Sequence, residues 1–274
     1  MIHTLGDRMK SYYEDRFRVH LPRRSNVMIR IDGKAFHTYT RGLNKPYDIG
    51  LMEDMNETTK FLCASIQGAK MGYVQSDEIS IWLTDYDDIK TDAWFDYNLQ
   101  KMCSIAASLA TAKFNQLRMT REAKEGGDLV SSQIISHPLA MFDARIFILP
   151  SIDEVVNYFI WRQQDATRNS ISMAAQSLYS HKELNGKSSD DKQEMMFQKG
   201  VNWNDYPTRF KRGAAIYKIE TKTLTKDFKF KNDHKTHIID ENQFIVRKEW
   251  VINRETPIFS QDKEFIESII QNLD

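Results

Sequence analysis

The sequence predicts an α+β fold of the ferredoxin-like kind with an additional, mostly helical C-terminal half. Periodicity in the first half gives strand, helix, strand, then helix, strand, the order of a split βαβ unit. A capped helix opens the second half. The 274 residues, 41% of them hydrophobic, suffice for a sizeable core.

Val27 to Asp32 (VMIRID) is a β-branched and apolar run stopped by Gly33. Leu51, Met52, Met55, Thr59, Leu62 and Ile66 recur at helical spacing, and Gly68 and Gly72 end that pattern. Tyr73 to Leu83 (YVQSDEISIWL) reads as one strand with carboxylates near its start, and Asp85 to Ile89 is the candidate for its hairpin partner. Leu99, Met102, Cys103, Ala106, Ala110 and Phe114 mark a helix, followed by a strand over Arg145 to Leu149. Ser151 and Glu154 form a capping-box pair opening a helix toward Leu178. Lys187 to Asp191 reads as a polar turn, Asp191 to Gln198 as a short helix closed by Gly200, and Pro207 to Gly213 as a loop. Short strands are expected from Ala214, then a closing helix over Asp262 to Leu273. No internal repeat or low-complexity linker interrupts this order. It divides into 1–150, carrying the strand-helix unit, and 151–274, an extension packed on it.

Lys and Arg number 38 against 38 Asp and Glu, a balance that argues against a generic nucleic-acid coat and leaves only local basic surfaces. One is the run from Arg209 through Lys211, Arg212, Lys218, Lys222, Lys226, Lys229 and Lys231 to Lys235. Another is Arg16, Arg18, Arg23 and Arg24, while Asp85, Asp87, Asp88, Asp92 and Asp96 form an acidic patch. An ordinary solvated face explains either basic run as well as RNA does. Cys63 and Cys103 read as reduced core thiols, since neither has a second thiol near it. No stretch reaches the roughly 18 apolar residues of a membrane span, and Asp7, Arg8, Glu14 and Asp15 are unlike a signal peptide. A cytoplasmic protein without membrane contact is expected.

Strand alternation places Arg30 and Asp32 on one face and Ile29 and Ile31 on the other. Gly33 permits close backbone approach and offers a carbonyl oxygen, which suits Mg²⁺; an Asp-Gly pair is equally the mark of a common turn. In Gln75-Ser76-Asp77-Glu78 adjacent carboxylates carry a like-charge cost that a divalent cation relieves, and alternation lets only one of them face the ion unless a bulge intervenes. Paired beside Asp32, this strand would build a site for two Mg²⁺ ions; a solvated acidic edge is the plain alternative. His234 and His237 lack further ligands and read as a surface pair. The GGD letters of Glu125 to Leu129 sit in a polar setting that reads as a loop.

The motifs RIDGKAFH (30–37), KPYD (45–48), QSDE (75–78), MFDAR (141–145), WRQQD (161–165), DKQEMMF (191–197) and FKRGA (210–214) resemble, in order, the tRNA(His) guanylyltransferase family. The resemblance covers about residues 30–218 and implies a polymerase-type palm used in reverse, adding nucleotides to the 5′ end of tRNA with Mg²⁺, ATP and GTP or other nucleoside triphosphates, in a homotetramer. It implies metal ligation by Asp32, the Gly33 carbonyl and Asp77, with Glu78 the neighbouring catalytic acid. Arg30, Lys34, His37, Lys45, Asp48, Ser76 and Lys101 match nucleotide-binding positions; a packed core histidine and a solvated helix lysine are the bland readings of His37 and Lys101. Arg145, Arg162, Asn169, Lys192, Asn202, Lys211 and Arg212 match positions that contact phosphate or tRNA.

Eukaryotic-type members place His-Ile-Asn-Asn where this chain has Thr167, Arg168, Asn169 and Ser170. A basic pair just before the lysine matching Lys101 is also missing, with Tyr97 and Asn98 in that region. These departures favour the guanylyltransferase-like branch, associated with template-dependent repair of shortened tRNA 5′ ends. The competing expectations are a dedicated tRNA(His) guanylyltransferase, a palm-fold RNA-binding module without catalysis, and a nucleotide cyclase.

Overall fold

The computed structural model describes residues 4–125, 138–224, 238–239 and 244–271. An N-terminal arm of α1 (Leu5–Met9), a π turn (Lys10–Glu14) and a 3-10 turn (Asp15–Phe17) carries no buried residue. Then come β1 (Asn26–Gly33), α2 (Phe36–Tyr39), α3 (Ile49–Ser65), β2 (Ala69–Gln75), β3 (Glu78–Leu83), α4 (Leu99–Glu125) and β4 (Phe142–Leu149). The second half contributes α5 (Ile152–Gln176), α6 (His181–Leu184), α7 (Ser189–Gln198), α8 (Thr208–Arg212), β5 (Ala214–Leu224), β6 (Ile238–Ile239), β7 (Phe244–Asn253) and α9 (Lys263–Gln271).

The described strands form one seven-stranded sheet in the order β4-β1-β3-β2-β5-β7-β6, with every pairing antiparallel. Alternation divides it into two faces. Val27, Ile29, Ile31, Val74, Ile79 and Ile81 pack with Met55, Leu62, Met102, Ala106 and Phe114 of α3 and α4. On the reverse, Met28, Met71, Tyr73 and Trp82 pack with Val155, Phe159 and Ile266 of α5 and α9. The fold is thus α+β, as expected, with helices on both faces of the sheet.

Several local expectations change. Tyr73 to Leu83 is not one strand: the chain reverses at Ser76 and Asp77, pairing Gln75 with Glu78, so the hairpin partner is the following run and not Asp85 to Ile89. Ser76 takes φ 46°, which lets two residues close the turn without glycine. Gly72 does not end a helix but lies in β2, where a Cβ would stand 2.6 Å from Cys63 Sγ, so it brings α3 close to the sheet. Pro207 to Gly213 contains the helical turn α8. The strands after Ala214 are long: β5 and β7 pair from Ala215↔Asn253 to Leu224↔Phe244.

The charge runs are partly internal. Arg209 is buried and donates to Asn56 Oδ1 at 2.7 Å. Lys211 is buried and donates to the Asn204 carbonyl. Asp85 is buried and accepts from Arg23 Nε at 2.6 Å and from the Arg24 backbone N–H at 2.7 Å, so Arg23 is the member of that basic run that meets the acidic patch, while Arg18 pairs with Glu14 and Asp15. Cys63 is buried and Cys103 half-buried, both free thiols. Lys226, Lys229, Lys231, Lys235, His234, His237 and the GGD letters lie outside the described residues.

Candidate active site

The end of β1 is flanked by the β2–β3 turn on one side and β4 on the other, because Asp32 pairs with both Glu78 and Asp143. The Gly33 N–H donates to the Asp77 carbonyl at 3.2 Å, so the Gly33 carbonyl points the same way, toward the turn. A Cβ on Gly33 would lie 2.2 Å from the Phe36 ring. Phe36 in turn packs against Tyr39, Phe114 and Phe142 at centroid distances of 4.9, 5.7 and 5.2 Å. Core packing therefore requires glycine at position 33.

Arg30, Asp32, Gln75, Ser76, Asp77 and Glu78 line a groove whose opposite wall is Asp165, Asn169, Ser172, Met173 and Gln176 of α5. Those wall residues fall on one helical face, the signal that could have found Asp165, Ser172 and Gln176 from sequence. Burial pushes the Asp77 carboxyl above the usual range, the Ser76 hydroxyl pulls it back, and the charges of Asp32 and Glu78 push further up. Among the described residues no cation pairs with the Asp77 carboxylate. Arg145 comes only to 3.6 Å of Asp32 and shares itself with Asp143 at 3.7 Å.

Glu78 is different. Its carboxylate accepts from Arg162 Nε and Nη2 at 2.7 and 2.8 Å and from Arg30 at 2.5 Å. Arg162, only 3% exposed, also pairs with Asp165 at 2.8 Å and lies 4.3 Å from the Trp161 ring centroid. Glu78 is thus a clamp for two guanidiniums, which take three of its roughly four acceptor positions. Arg162, expected to meet phosphate, is held internally by the same bonds.

The other predicted residues divide. Ser76 and Asn169 line the groove, and Lys192 reaches it through Ser172 Oγ at 3.1 Å. Lys45 and Asp48 line a second groove with Arg118, Arg121, Tyr47 and Tyr206; Asp48 caps α3 by accepting the Leu51 N–H at 2.8 Å. Lys34 and His37 are exposed beside Gly33, so His37 is no core histidine. Lys101 is exposed on the first turn of α4, near Glu14 of the N-terminal arm and outside both grooves. Asn202 caps a 3-10 turn by accepting the Asn204 N–H at 3.0 Å. Lys211 faces Asn204 and the Trp203 ring and is no surface phosphate contact, because its ammonium is taken up inside. Arg212 is half-buried.

The donor set of Asp32, Asp77 and the Gly33 carbonyl is all oxygen, the hard chemistry that suits Mg²⁺. Among the described residues no three His, Cys, Asp or Glu form a closed ligand cluster. Mg²⁺ commonly takes one or two carboxylates and completes its shell with water and substrate phosphate, so the donors fit.

An antiparallel sheet flanked by helices, with two acids meeting at a strand end and a hairpin turn beside a polar groove, defines a palm-type nucleotidyltransferase. The chain belongs to the tRNAHis guanylyltransferase family, whose model matches residues 6–150. The tRNA(His) guanylyltransferase of Debaryomyces hansenii is 30% identical over 203 residues, 69% of this chain and 72% of that protein. A bacterial tRNA(His) guanylyltransferase (Thg1)-like protein solved in complex with ATP is 44% identical, with a TM-score of 0.77 over 97% of this chain and 99% of that one. The Saccharomyces cerevisiae enzyme superposes with a TM-score of 0.61 at 25% identity over 75% and 91%.

Proposed function

We propose that this protein adds nucleotides to the 5′ end of tRNA in the 3′-to-5′ direction, as template-dependent repair of truncated ends, with Mg²⁺ and nucleoside triphosphates and as a homotetramer. The observation that carries this reading is the convergence of Asp32 and Asp77, with Asp77 buried and, among the described residues, without a cationic partner at its carboxylate. Asp32, Asp77 and the Gly33 carbonyl would hold the ions. Bound there, Mg²⁺ supplies charge that activates the attacking hydroxyl and stabilises the leaving phosphate. Arg145 and Lys192 bring positive charge to the two ends of the site, where RNA and triphosphate phosphates need it. The α5 wall positions the nucleotide, so that the 3′-hydroxyl of the incoming nucleotide meets an activated 5′ phosphate in reactive geometry.

The repair branch is supported by the segment Thr167 to Ser170. Thr167 returns its hydroxyl to the Gln163 carbonyl at 3.1 Å, Arg168 pairs with Asp165 at 3.0 Å, and buried Ser170 accepts from Trp203 Nε1 at 3.2 Å. Only Asn169 of the four reaches the groove, leaving correct pairing with the opposite strand as the selector of the added base. The 44% identity to the bacterial Thg1-like protein, against 30% to the D. hansenii enzyme, points the same way. Incubation with several 5′-truncated tRNAs, labelled nucleotides and Mg²⁺ should yield whichever base pairs with the opposing strand. Addition of guanosine alone, to tRNA(His) alone, whatever base it faces, would identify a dedicated tRNA(His) guanylyltransferase instead.

A further inference from the structure

We infer that Trp161 is a stacking platform for the terminal base of the RNA, on the far side of the catalytic acids from the triphosphate. This deepens the reading under Proposed function and rests on it. Trp161 is 47% exposed, although its helix neighbours Tyr158 and Phe159 are buried at 7% and 0%. It lies on the exposed face of α5 with Asn157, Gln164 and Arg168, where a polar residue is the ordinary choice and a large indole is not. Its indole is nonetheless held firmly. The Arg162 guanidinium lies 4.3 Å from the ring centroid and is fixed by its two bonds to Glu78, Arg30 lies at 5.9 Å, and the Tyr158 ring meets it edge-on at 5.8 Å. An indole fixed by guanidiniums over its ring, yet 47% exposed, is an arrangement that can stack a nucleobase without reading its sequence.

Its place on α5 selects the RNA as occupant. The groove begins at Asp165, one turn beyond Trp161, and runs to Gln176, about 16 Å at a rise of 1.5 Å per residue, enough for an extended nucleoside triphosphate. Trp161 stands just beyond the Asp165 end, outside that lining but under Arg30, which belongs to it. It shares this end with Arg145, 58% exposed and paired in register with Arg30. The bond formed joins the 3′-hydroxyl of the incoming nucleotide to the RNA 5′ phosphorus, and the activating phosphate leaves that phosphorus on the opposite side, so the RNA end has to reach the acids from beyond the incoming nucleotide. With the triphosphate in the groove, the RNA end comes to the Trp161 side, its base on the indole and its phosphates near Arg145.

The test uses an acceptor-stem RNA hairpin with 2-aminopurine as its 5′-terminal base, bound to the unaltered protein, W161F and W161L, beside a titration of each protein with ATP and Mg²⁺. Expected is quenching of the probe by the unaltered protein, about tenfold weaker RNA binding without quenching in W161L, and unchanged ATP affinity. W161F, with a smaller ring, should bind roughly threefold more weakly and keep part of the quench. Equal RNA affinity and quenching in W161L would overturn the platform, and so would a parallel loss of ATP affinity, which would put the indole in the triphosphate site. Should W161L unfold on heating well before the others, W161F decides, and affinity equal to the unaltered protein overturns the assignment. An unaltered protein that binds no RNA at all would instead remove the function on which the inference rests.

Discussion

Asp77 and Glu78 are neighbours in the chain, and burial pushes both carboxyls upward, yet their surroundings are opposite. Glu78 receives the guanidiniums of Arg162 and Arg30, whereas Asp77 faces the further negative charge of Asp32. A buried acid with its cations supplied by the fold is an element of architecture. One left without a cation among the described residues is where the proposed function puts its metal. The hairpin turn makes this division possible, because Asp77 at the turn and Glu78 at the first position of β3 can be served by different neighbours.

The contrast is broken most directly by removing the acids. Asp32→Ala and Asp77→Ala should each lower nucleotide addition at least about a thousandfold, the scale of several kcal/mol of lost charge stabilisation, while urea unfolding stays close to that of the unaltered protein. Turnover near normal in either variant at saturating Mg²⁺ would end the assignment of these acids as metal ligands. Glu78→Ala should do the reverse. It takes the carboxylate from Arg30 and leaves buried Arg162 with Asp165 alone, and is expected to cost about 3 kcal/mol of stability, read as a shifted urea midpoint, with activity falling as the fold loosens.

A subtler effect sharpens the comparison through pH. The folded-state pKa of Asp77 is raised, so protonation favours the fold; that contribution is present below the unfolded value and lost as pH rises through the folded one. Without metal, Asp77→Asn should therefore melt higher than the unaltered protein at neutral pH, and the gap should close as pH falls through the carboxylate range. Mg²⁺ should raise the melting temperature of the unaltered protein more than that of the variant. A gap independent of pH would show that Asp77 is not the group that titrates.

The acids were legible in the sequence, whereas the division between them was not, since Glu78 read as a catalytic neighbour of Asp77, and the causes are specific. The face shared by Arg30 and Asp32 follows from strand alternation alone, and the structure places both on the groove. The hairpin was hidden because Ser76, not glycine or asparagine, takes the left-handed position, so eleven residues read as one strand. The clamp was hidden because Arg162 and Glu78 are 84 residues apart, and no local pattern announces a pair at that separation. Arg209 and Lys211 read as surface since composition counts charges without their partners; Asn56 and the Asn204 carbonyl lie elsewhere in the chain.

The order of the sheet has a consequence for solubility. β2 is buried at all seven positions and is bordered by β3 on one side and by β5, from the second half of the chain, on the other. A fragment ending near residue 150 would retain Asp32 and Asp77 but leave Met71 to Val74 as a bare hydrogen-bonding edge, with the apolar surface that α5 covers open beside it. Such an edge recruits strands from other molecules. Asp32 and Asp77 would both be present in a chain that precipitates.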